Sequence, residues 1–401
     1  MMAALTAAEC GAEVFLAEPN ERLGKKVNIT GKGRCNVTND SDAEELMQNI
    51  PRNPRFLYSA FSRFDGRDCM AFFEGLGVPL KTERGKRVFP VSDSAFSVTD
   101  ALRERLRALG VQWERERVTE VMTADGTVTG IRTGRGERQA DAVIVATGGV
   151  SYPGTGSTGD GYGIARAVGH TVISPRASLV PLVSPDSDCP AMQGLSLKNV
   201  GLKVRDEKGK TVYTDFGELL FTHFGLSGPT VLSASAHVRD FGERPYTVCL
   251  DLKPALDEQK LDARLVRDLQ ERCNQDMQNV LGGLLPKSMI PVVLRRTEIP
   301  AERKANAVTK EERRRLLRTL KEFTVPVSGT RPVEEAIVTS GGVKVSELVP
   351  STMESKLVRG LYFAGEVIDT DAYTGGFNLQ IAWATGRLAG EAAAKHTEKE
   401  G

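Results

Sequence analysis

The chain has 401 residues, so we expect two or three packed units instead of one domain of about 150 residues. Apolar residues make up 40% and charged residues 26%, which suits a globular protein and excludes a disordered or fibrous chain. Lys plus Arg is 53 and Asp plus Glu is 52, a net charge of +1. No overall field favours nucleic acid or an anionic membrane, so the sequence predicts neither as a partner.

Cysteine and histidine spacing gives no sign of a metal centre or a redox pair. The six cysteines form no C-x-x-C motif and the four histidines stand singly, so we expect no metal site. Unpaired thiols are typical of reducing compartments, which favours a cytoplasmic protein. No apolar run reaches the ~18 residues of a membrane helix.

The first twenty residues predict a helix, a turn and a strand. Residues 1–10 are rich in Ala, and Gly11 suits the end of that helix. Residues 12–17 form a short apolar strand that ends at Glu18. This order is typical of the second half of a dinucleotide-binding βαβ unit, in which the acid accepts hydrogen bonds from an adenosine ribose. The glycine turn of such a unit lies about 20 residues before the acid, so we expect it upstream of Met1.

A long loop, two helices and a small antiparallel sheet are predicted next. Residues 21–40 are rich in Gly, Lys, Arg and Asn without periodicity, and loops of that length are usually functional. Helices are predicted over 54–77 and 99–109. Short strands follow over 117–146, the first two joined by an Asp-Gly turn. The last, 142–146, is apolar on both faces, as in a buried parallel sheet.

The pattern then changes from strands to helices and back, which predicts an interrupted α/β fold. We expect a doubly wound, Rossmann-like domain with an inserted β-rich domain and a small helical domain. The doubly wound domain takes 1–173 and 346–401, the β-rich domain 174–255 and 323–345, and the helical domain 256–322.

The helical segment 295–321 carries a local excess of positive charge. Glutamates at 298, 302, 311 and 312 interleave with its basic residues. A solvated helical face is the favoured interpretation, and a nucleic-acid contact is the alternative.

The strongest motif lies near the C-terminus, in GLYFAGEVIDTDAYTGGFNLQIAWATG. A short strand, 361–364, precedes a loop with a glycine pair, and a helix is predicted over 379–394. Such a helix presents unpaired N–H groups and the positive end of its dipole to an anion. A reduced flavin carries negative charge at its N1/C2=O edge, so the pattern indicates flavin binding. A plain strand–loop–helix unit that closes a sheet is the alternative.

A second glycine motif, ATGG at 146–149, follows the buried strand. Its small residues let the backbone approach a cofactor closely, which strengthens the flavin interpretation. Residues 154–159 match G-x-G-x-x-G but do not turn directly off a strand. We therefore interpret them as a substrate-side or flavin-side loop and not as a second nucleotide site.

Four blocks carry a resemblance to a known family: GKKVNITGKGRCNVTN, DAVIVATGGVSYPGTGSTGDGYGIARAVGH, FTHFGLSGPTVL and GLYFAGEVIDTDAYTGGFNLQIAWATG. Together they resemble the BaiN/YhiN-type NAD(P)/FAD-dependent oxidoreductases over nearly the whole chain. The resemblance implies a doubly wound, Rossmann-like FAD-binding domain interrupted by a β-barrel-like domain and a small helical domain. The chain departs from the family at its start, where members have a strand and a GGGAAG-like turn.

The resemblance also implies which residues bind FAD. Glu18 and Asn20 match the ribose site, and Val118 matches the strand position that supports the adenine. Lys26 and Arg34 suit phosphate or flavin oxygens, with exposed loop cations as the alternative, and Cys35 is interpreted as a packing residue. The full set of cofactor-binding candidates is Glu18, Asn20, Lys26, Gly33, Arg34, Cys35, Asn36, Val118, Thr147, Gly148, Gly365, Glu366, Asp371, Gly376, Phe377, Asn378 and Leu379.

The implied activity is NAD(P)H-dependent reduction of a C=C bond in a small molecule, a 3-oxo steroid such as a bile-acid intermediate. Flavin N5 passes a hydride to the β-carbon of the enone while an acid protonates the α-carbon. Tyr152, His223 and Tyr373 are candidate proton donors because each lies in a glycine-bordered block, with a structural role as the alternative. Two other functions stay open: an oxidase of an aminoacetone-like amino-ketone, and a flavin-bound protein that modifies nucleic acid through 295–321.

Overall fold

The computed structural model describes residues 1–238, 241 and 245–397. Contacts divide the chain into two units. Unit 1 comprises Met1–Ser178 and the chain from Pro332 onward, and unit 2 comprises Leu179–Arg331. Each unit has a buried apolar cluster of its own.

The first part of unit 1 mixes helices with short strands. Its helices are α1 (Met2–Glu9), α2 (Ala43–Gln48), α3 (Tyr58–Phe61), α4 (Gly66–Gly75), α5 (Ala95–Ala108) and α6 (Asp160–Ala167). Its strands are β1 (Phe15–Ala17), β2 (Thr38–Asn39), β3 (Leu80–Glu83), β4 (Arg87–Pro90), β5 (Gln112–Glu114), β6 (Val118–Ala124), β7 (Thr127–Thr133), β8 (Gly136–Gln139), β9 (Val143–Val145) and β10 (Val172–Ser178).

One predicted helix is broken in the structure. The sequence predicted a single helix over 54–77, but a 3-10 turn over Pro54–Leu57 leads into α3, and α4 begins separately. The reason is Asp65, whose carboxylate accepts the backbone N–H groups of Arg67 (2.8 Å) and Asp68 (3.0 Å). An acceptor at that position starts a new helix.

Unit 2 is a seven-stranded sheet followed by helices that return to it. The elements are β11 (Leu182–Val183), α7 (Asp188–Ala191), β12 (Ser196–Arg205), β13 (Thr211–Thr222), β14 (Gly225–Ser227), α8 (Pro229–Ser235), β15 (Tyr246–Asp251), α9 (Glu258–Glu271), α10 (Met277–Val280), α11 (Ile290–Thr297), α12 (Lys310–Lys321), β16 (Phe323–Val327) and β17 (Gly329–Thr330). The strand order is β16-β15-β12-β13-β14-β11-β17, and the pairs are antiparallel.

The chain re-enters unit 1 with β18 (Val338–Val343), β19 (Leu361–Phe363) and α13 (Phe377–Thr397). Strand β18 pairs antiparallel with β10, so Ser178 lies opposite Val338. The sequence predicted an insertion over 174–345, which contains unit 2 together with β18 and most of β10, two strands of unit 1. Two parallel pairs, β1 with β5 and β9 with β19, supply the edges from which the site is built.

Helix α13 runs through the interior of unit 1. The Trp383 indole donates to the Val37 carbonyl (2.9 Å), which ties α13 to the residue just before β2. At Gly390 an added Cβ would lie 2.5 Å from the Ala3 carbonyl oxygen. Only a glycine therefore allows α13 to approach α1 this closely. Within the described part of the chain, no helix is both long and apolar enough to cross a bilayer.

Candidate cofactor site

Two loops of unit 1 leave the same edge of the β9–β19 pair. The strands are parallel, and the Ala364 N–H donates to the Val145 carbonyl (3.0 Å), so loops 146–151 and 364–376 begin side by side. Ligands of α/β proteins bind at the carboxyl ends of parallel strands. A cofactor is therefore expected at this edge.

A half-buried carboxylate stands at the carboxyl end of β1. Glu18 Oε1 accepts both the backbone N–H (2.9 Å) and the side-chain Nδ2 (2.7 Å) of Asn20. The same Nδ2 donates to the Thr155 carbonyl (2.9 Å), which joins this loop to the one after β9. The Asn20 amide thus fixes the Glu18 carboxylate, as acceptance of ribose hydroxyls requires.

An ion pair joins three loops at the same edge. Lys26 Nζ lies 2.7 Å from Glu366 Oε2 and 2.8 Å from Ser151 Oγ. Glu366 Oε1 accepts the Thr339 N–H (2.8 Å) and the Ser151 hydroxyl (3.1 Å). Lys26 and Glu366, both predicted site residues, are therefore brought together.

The ATGG turn is closely packed. At Gly149 an added Cβ would lie 2.3 Å from Thr339 Oγ1, and at Gly161 it would lie 2.2 Å from Thr147 Oγ1. Gly148 has a φ of +75°, in the left-handed region that favours glycine. The small residues of this motif are thus required by the loop itself.

The glycine loop before α13 is closed by an amide. Asn378 Oδ1 accepts the Ala372 N–H (2.9 Å) and its Nδ2 donates to the Ala372 carbonyl (2.8 Å). Gly376 has a φ of +97°, and an added Cβ would lie 2.3 Å from the Thr38 carbonyl oxygen. With the Asn36 amide oriented so that its nitrogen faces that same carbonyl, Nδ2 donates to it (3.1 Å) and Oδ1 accepts the Gly376 N–H (2.9 Å). The predicted residues Asn36, Gly376 and Asn378 therefore shape one loop.

The remaining predicted residues of this loop lie at its two ends. The Gly365 N–H donates to Thr385 Oγ1 (2.9 Å), and Gly365 has a φ of +76°. Phe377 is buried and Leu379 is half-buried in the first turn of α13.

Two buried carboxylates follow Glu366, and sequence reasoning proposed only one of them. Asp371 accepts the hydroxyls of Ser178 (2.8 Å) and Ser340 (2.7 Å). Asp369, which was missed, binds the Arg52 guanidinium, with Nη2 at 2.8 Å from Oδ2. The motif GEVIDTD was a signal for Asp369, whereas nothing in the sequence pointed to Arg52.

Arg34 faces a different set of groups from the one predicted. Its guanidinium binds Glu83 and Asp93, at 2.6 Å from Asp93 Oδ1, and lies 4.2 Å from the Phe89 ring centroid. The two carboxylates raise the pKa of Arg34 further above its ordinary value. The structure therefore does not bring Arg34 together with Glu18 or Glu366.

Three other predicted residues differ in their exposure. Gly33 is exposed in a turn with a φ of +84°. Cys35 is fully buried, and burial raises the pKa of its thiol to about 12, so a neutral packing role fits it. Val118 begins β6, half-buried and opposite Thr133 of β7.

The three candidate proton donors lie in different settings. Tyr152, 38% exposed, has a φ of +50° and donates its N–H to the Glu334 carbonyl (3.3 Å). The half-buried Tyr373 donates its N–H to the Asn49 carbonyl (3.0 Å). His223 belongs to unit 2, in the exposed turn between β13 and β14.

One buried hydroxyl of unit 1 has the chemistry to bind a polar cofactor. Tyr162 is 3% exposed, and its hydroxyl has no hydrogen-bond partner among the described residues. Burial, together with the Glu366 and Asp369 carboxylates, raises the pKa of this hydroxyl, so it stays a donor. A fixed carboxylate at Glu18, left-handed glycines at two strand ends and a spare donor fit a dinucleotide with hydroxyl and phosphate groups. Within the described ranges, no group of three or more His, Cys, Asp or Glu side chains could hold a metal ion.

Comparison with known proteins decides the family. The model of the HI0933-like protein Rossmann domain matches residues 1–392. The chain belongs to this family. It is a flavoprotein oxidoreductase with a Rossmann-like FAD-binding fold, as the resemblance predicted.

Two relatives of this HI0933-like protein match over almost their whole length. The 3-dehydro-bile acid delta(4,6)-reductase of Clostridium scindens is 33% identical over 98% of this chain and 96% of the relative. The ribosomal RNA dihydrouridine synthase of Escherichia coli is 32% identical over 96% of this chain and 93% of the relative.

Among solved structures, the 3-ketosteroid-delta4-(5alpha)-dehydrogenase of Rhodococcus jostii has a TM-score of 0.53 and 15% identity. The match covers 98% of this chain and 94% of that one. A flavocytochrome c3 fumarate reductase has a TM-score of 0.51 and 17% identity, over 98% of this chain and 76% of that one. At these identities the two structures show the fold alone.

Proposed function

We propose that the protein uses FAD and NAD(P)H to reduce a C=C bond conjugated with a carbonyl group. One observation carries the proposal: two relatives above 30% identity are named for reductions of this kind on unrelated molecules. A 3-dehydro bile acid with Δ4,6 bonds is a conjugated dienone, and dihydrouridine is a uridine whose C5=C6 bond, conjugated with C4=O, is saturated. The common chemistry is hydride addition to the β-carbon and protonation of the α-carbon.

Residues of unit 1 supply the binding groups. Glu18 would hold the adenosine ribose, and the backbone at Gly148 and Gly365 would lie against the cofactor. Bound FAD supplies the hydride-transfer chemistry, as in other flavin enzymes. The Lys26 side chain, with Nζ 2.7 Å from Glu366 Oε2 and 2.8 Å from Ser151 Oγ, joins the two loops that leave the β9–β19 edge.

Two substrate classes compete within this proposal. The first is a 3-oxo steroid enone, supported by the Clostridium relative. The second is a uridine base in ribosomal RNA, supported by relatives at 32% and 30% identity. Both predict that reduced flavin is reoxidised by the substrate in the absence of oxygen.

Anaerobic half-reactions test the proposal. FAD-loaded protein is mixed with NADH or NADPH, and we expect the flavin absorbance to bleach. A 3-oxo-4,6-diene steroid or protein-free ribosomal RNA is then added, and one of them should restore the absorbance and gain two hydrogens by mass spectrometry. Bleaching followed by reoxidation only by air, with peroxide formed from aminoacetone, would contradict the proposal and favour an oxidase.

A further inference from the structure

Several basic residues of the segment 295–321 form ion pairs within unit 2. Arg296 Nη2 lies 2.6 Å from Asp186 Oδ2, and Arg313 Nε lies 2.8 Å from Asp262 Oδ1. A cation that is already paired gains little by binding an external phosphate, because the carboxylate must first be displaced. These ion pairs therefore favour the predicted solvated face of this segment over the alternative of a nucleic-acid contact.

Unit 1 presents cations of a different kind. Lys32, Arg84 and Arg87 are exposed, and within the described part of the chain none of them forms an ion pair within 4.0 Å. Arg87 lies opposite Glu83 in the β3–β4 pair, but that carboxylate binds Arg34. We call Lys32, Arg84 and Arg87 the cationic face. Lys86, which lies between Arg84 and Arg87 in sequence, is paired with Glu45 and is not counted.

The two segments that carry the cationic face meet at Phe89. Arg34 and Arg87 stack over the same Phe89 ring, with guanidinium carbons 4.2 Å and 5.8 Å from its centroid. Arg87 Nε donates to the Arg84 carbonyl (3.0 Å). Lys32 stands two residues before Arg34, so the turn and the β3–β4 hairpin present their exposed cations together.

The turn that carries Lys32 has an unusual backbone. Gly31, Lys32 and Gly33 have φ values of +57°, +60° and +84°. A lysine in the left-handed region is uncommon, and such strained residues cluster at functional sites.

One amide attaches this surface to the cofactor loop. Asn39 Nδ2 donates to the Gly85 carbonyl at the hairpin tip (3.1 Å) and to the Gly375 carbonyl of the glycine loop (3.0 Å). Asn36, next to the Lys32 turn, accepts the Gly376 N–H (2.9 Å). Both cation-bearing segments are therefore bonded to the loop that leads into α13, so the cationic face borders the site.

We propose that the cationic face binds the sugar–phosphate backbone of a nucleic acid while one of its bases enters the cofactor site. The inference rests on the proposed function, since it assigns the enone to a uracil ring. Three exposed cations that form no ion pair within 4.0 Å suit a chain of phosphates, each of which binds a Lys or Arg and releases counterions. A bile acid offers one carboxylate and requires no such surface.

Charge reversal tests the surface. The face variant combines Lys32→Glu, Arg84→Glu and Arg87→Glu, and the matched control combines Lys208→Glu, Lys287→Glu and Arg314→Glu on exposed positions of unit 2. Binding of fluorescein-labelled oligouridylate and of protein-free ribosomal RNA is measured against salt. Because each single-strand phosphate contact contributes about 0.7 to the salt slope, the face variant should lose a slope of about 2 and bind at least about tenfold more weakly. The control should bind as the wild type does.

A charge-conserving variant separates charge from folding. Lys32→Arg, Arg84→Lys and Arg87→Lys together should restore binding, with FAD content and melting temperature recorded for all variants. Equal binding by the wild type and the face variant, or equal loss in the control, would overturn the inference. One outcome is that NADPH bleaches the flavin and the steroid reoxidises it, while RNA binding does not depend on the cationic face. That outcome would overturn the proposed nucleic-acid surface and leave the proposed reductase activity standing. If RNA binding depends on the cationic face but the protein reduces no enone, the proposed reductase activity is overturned and the nucleic-acid surface stands.

Discussion

Glu18 is the predicted ribose-binding residue, and the structure holds its carboxylate in one orientation. It ends β1, and its carboxylate is oriented by two hydrogen bonds from Asn20 rather than left free in solvent. An oriented acceptor loses less conformational entropy when it binds than a mobile one does. The Asn20 contact to Thr155 could not be predicted, because it joins residues 135 positions apart.

Replacement of Glu18 by Gln should weaken FAD binding. A hydrogen bond to a charged group is worth roughly 1.5–3 kcal/mol, so we expect a loss of about 10- to 100-fold in affinity, measured by fluorescence titration of the apoprotein. Glu13→Gln, at an exposed position before the same strand, is the control. Equal FAD affinity in the two variants would contradict the ribose assignment.

His170 is another buried polar residue of unit 1. Its Nε2 lies 2.7 Å from Ser355 Oγ and its Nδ1 lies 3.2 Å from Glu347 Oε2. Ser355 Oγ already accepts the N–H groups of Leu357 (3.0 Å) and Val358 (2.9 Å), so its own proton is directed to Nε2. The imidazole is therefore neutral, with its proton on Nδ1 facing Glu347.

This arrangement predicts a loss of stability in mild acid. Burial lowers the pKa of His170 below 6.5, against the opposing effect of Glu347. Because the folded state resists protonation of His170, the neutral imidazole contributes fully to the free energy of unfolding above the pKa of the unfolded chain, about 6.5. This contribution is lost as the pH falls toward the lower pKa of the folded state. Melting temperatures measured from about pH 8 to about pH 5 should fall more steeply in the wild type than in His170→Gln. Parallel curves would contradict the neutral assignment.

At the scale of elements, the glycine loop before α13 depends on close backbone contacts. Asn378 closes the loop and Gly376 passes against Thr38, so the cofactor loop and β2 are one packed structure. The sequence predicted the glycine pair and the helix that follows. It did not predict β2 as the partner, because two residues of strand carry no periodic signal.

Substitution of Gly376 by Ala should destabilise the loop. The methyl group would meet the Thr38 carbonyl at 2.3 Å in a backbone of φ +97°, which costs roughly 1–3 kcal/mol. We expect a lower melting temperature and a lower FAD content. Gly154→Ala is the matched control, because its Cβ would meet nothing within 4 Å. Similar behaviour of both variants would show that this contact is not required.

The predictions of helices and strands succeeded where neighbouring residues in the sequence carried the signal. The hairpin at Asp125 and Gly126 is confirmed, with φ values of +51° and +75° at the turn. The prediction of one helix over 54–77 was wrong because Asp65 starts a new helix. In the sequence, an Asp inside an apolar pattern looks like a solvent-facing position of one continuous helix. The Arg52–Asp369 pair joins residues 317 positions apart, so no local pattern could reveal it.

At the scale of the whole molecule, the two apolar cores coincide with the two units. All residues of one cluster lie in unit 1 and those of the other in unit 2. The sequence predicted the interruption of the Rossmann-like domain from the change of pattern. It could not fix the limits, because β10 and β18 read as part of the β-rich insertion but pair with each other in unit 1.

FAD should stabilise the two units unequally. A ligand that binds only the native state adds about 2.7 kcal/mol at a concentration of 100 Kd. Since the candidate residues for the cofactor lie in unit 1, we expect slower hydrogen exchange there, above all in loops 146–151 and 364–376. Exchange in α9 and α12 of unit 2 should change little. Protection confined to unit 2 would contradict the placement of the site.

The antiparallel pairing of β10 with β18 has a consequence for the engineering of the chain. The strand that leads out at Ser178 and the strand that leads back toward Val338 are direct neighbours, so the two ends of the intervening 179–331 stretch start from adjacent points. A stretch with neighbouring ends can be replaced by a short linker or exchanged for a foreign module without pulling its host apart.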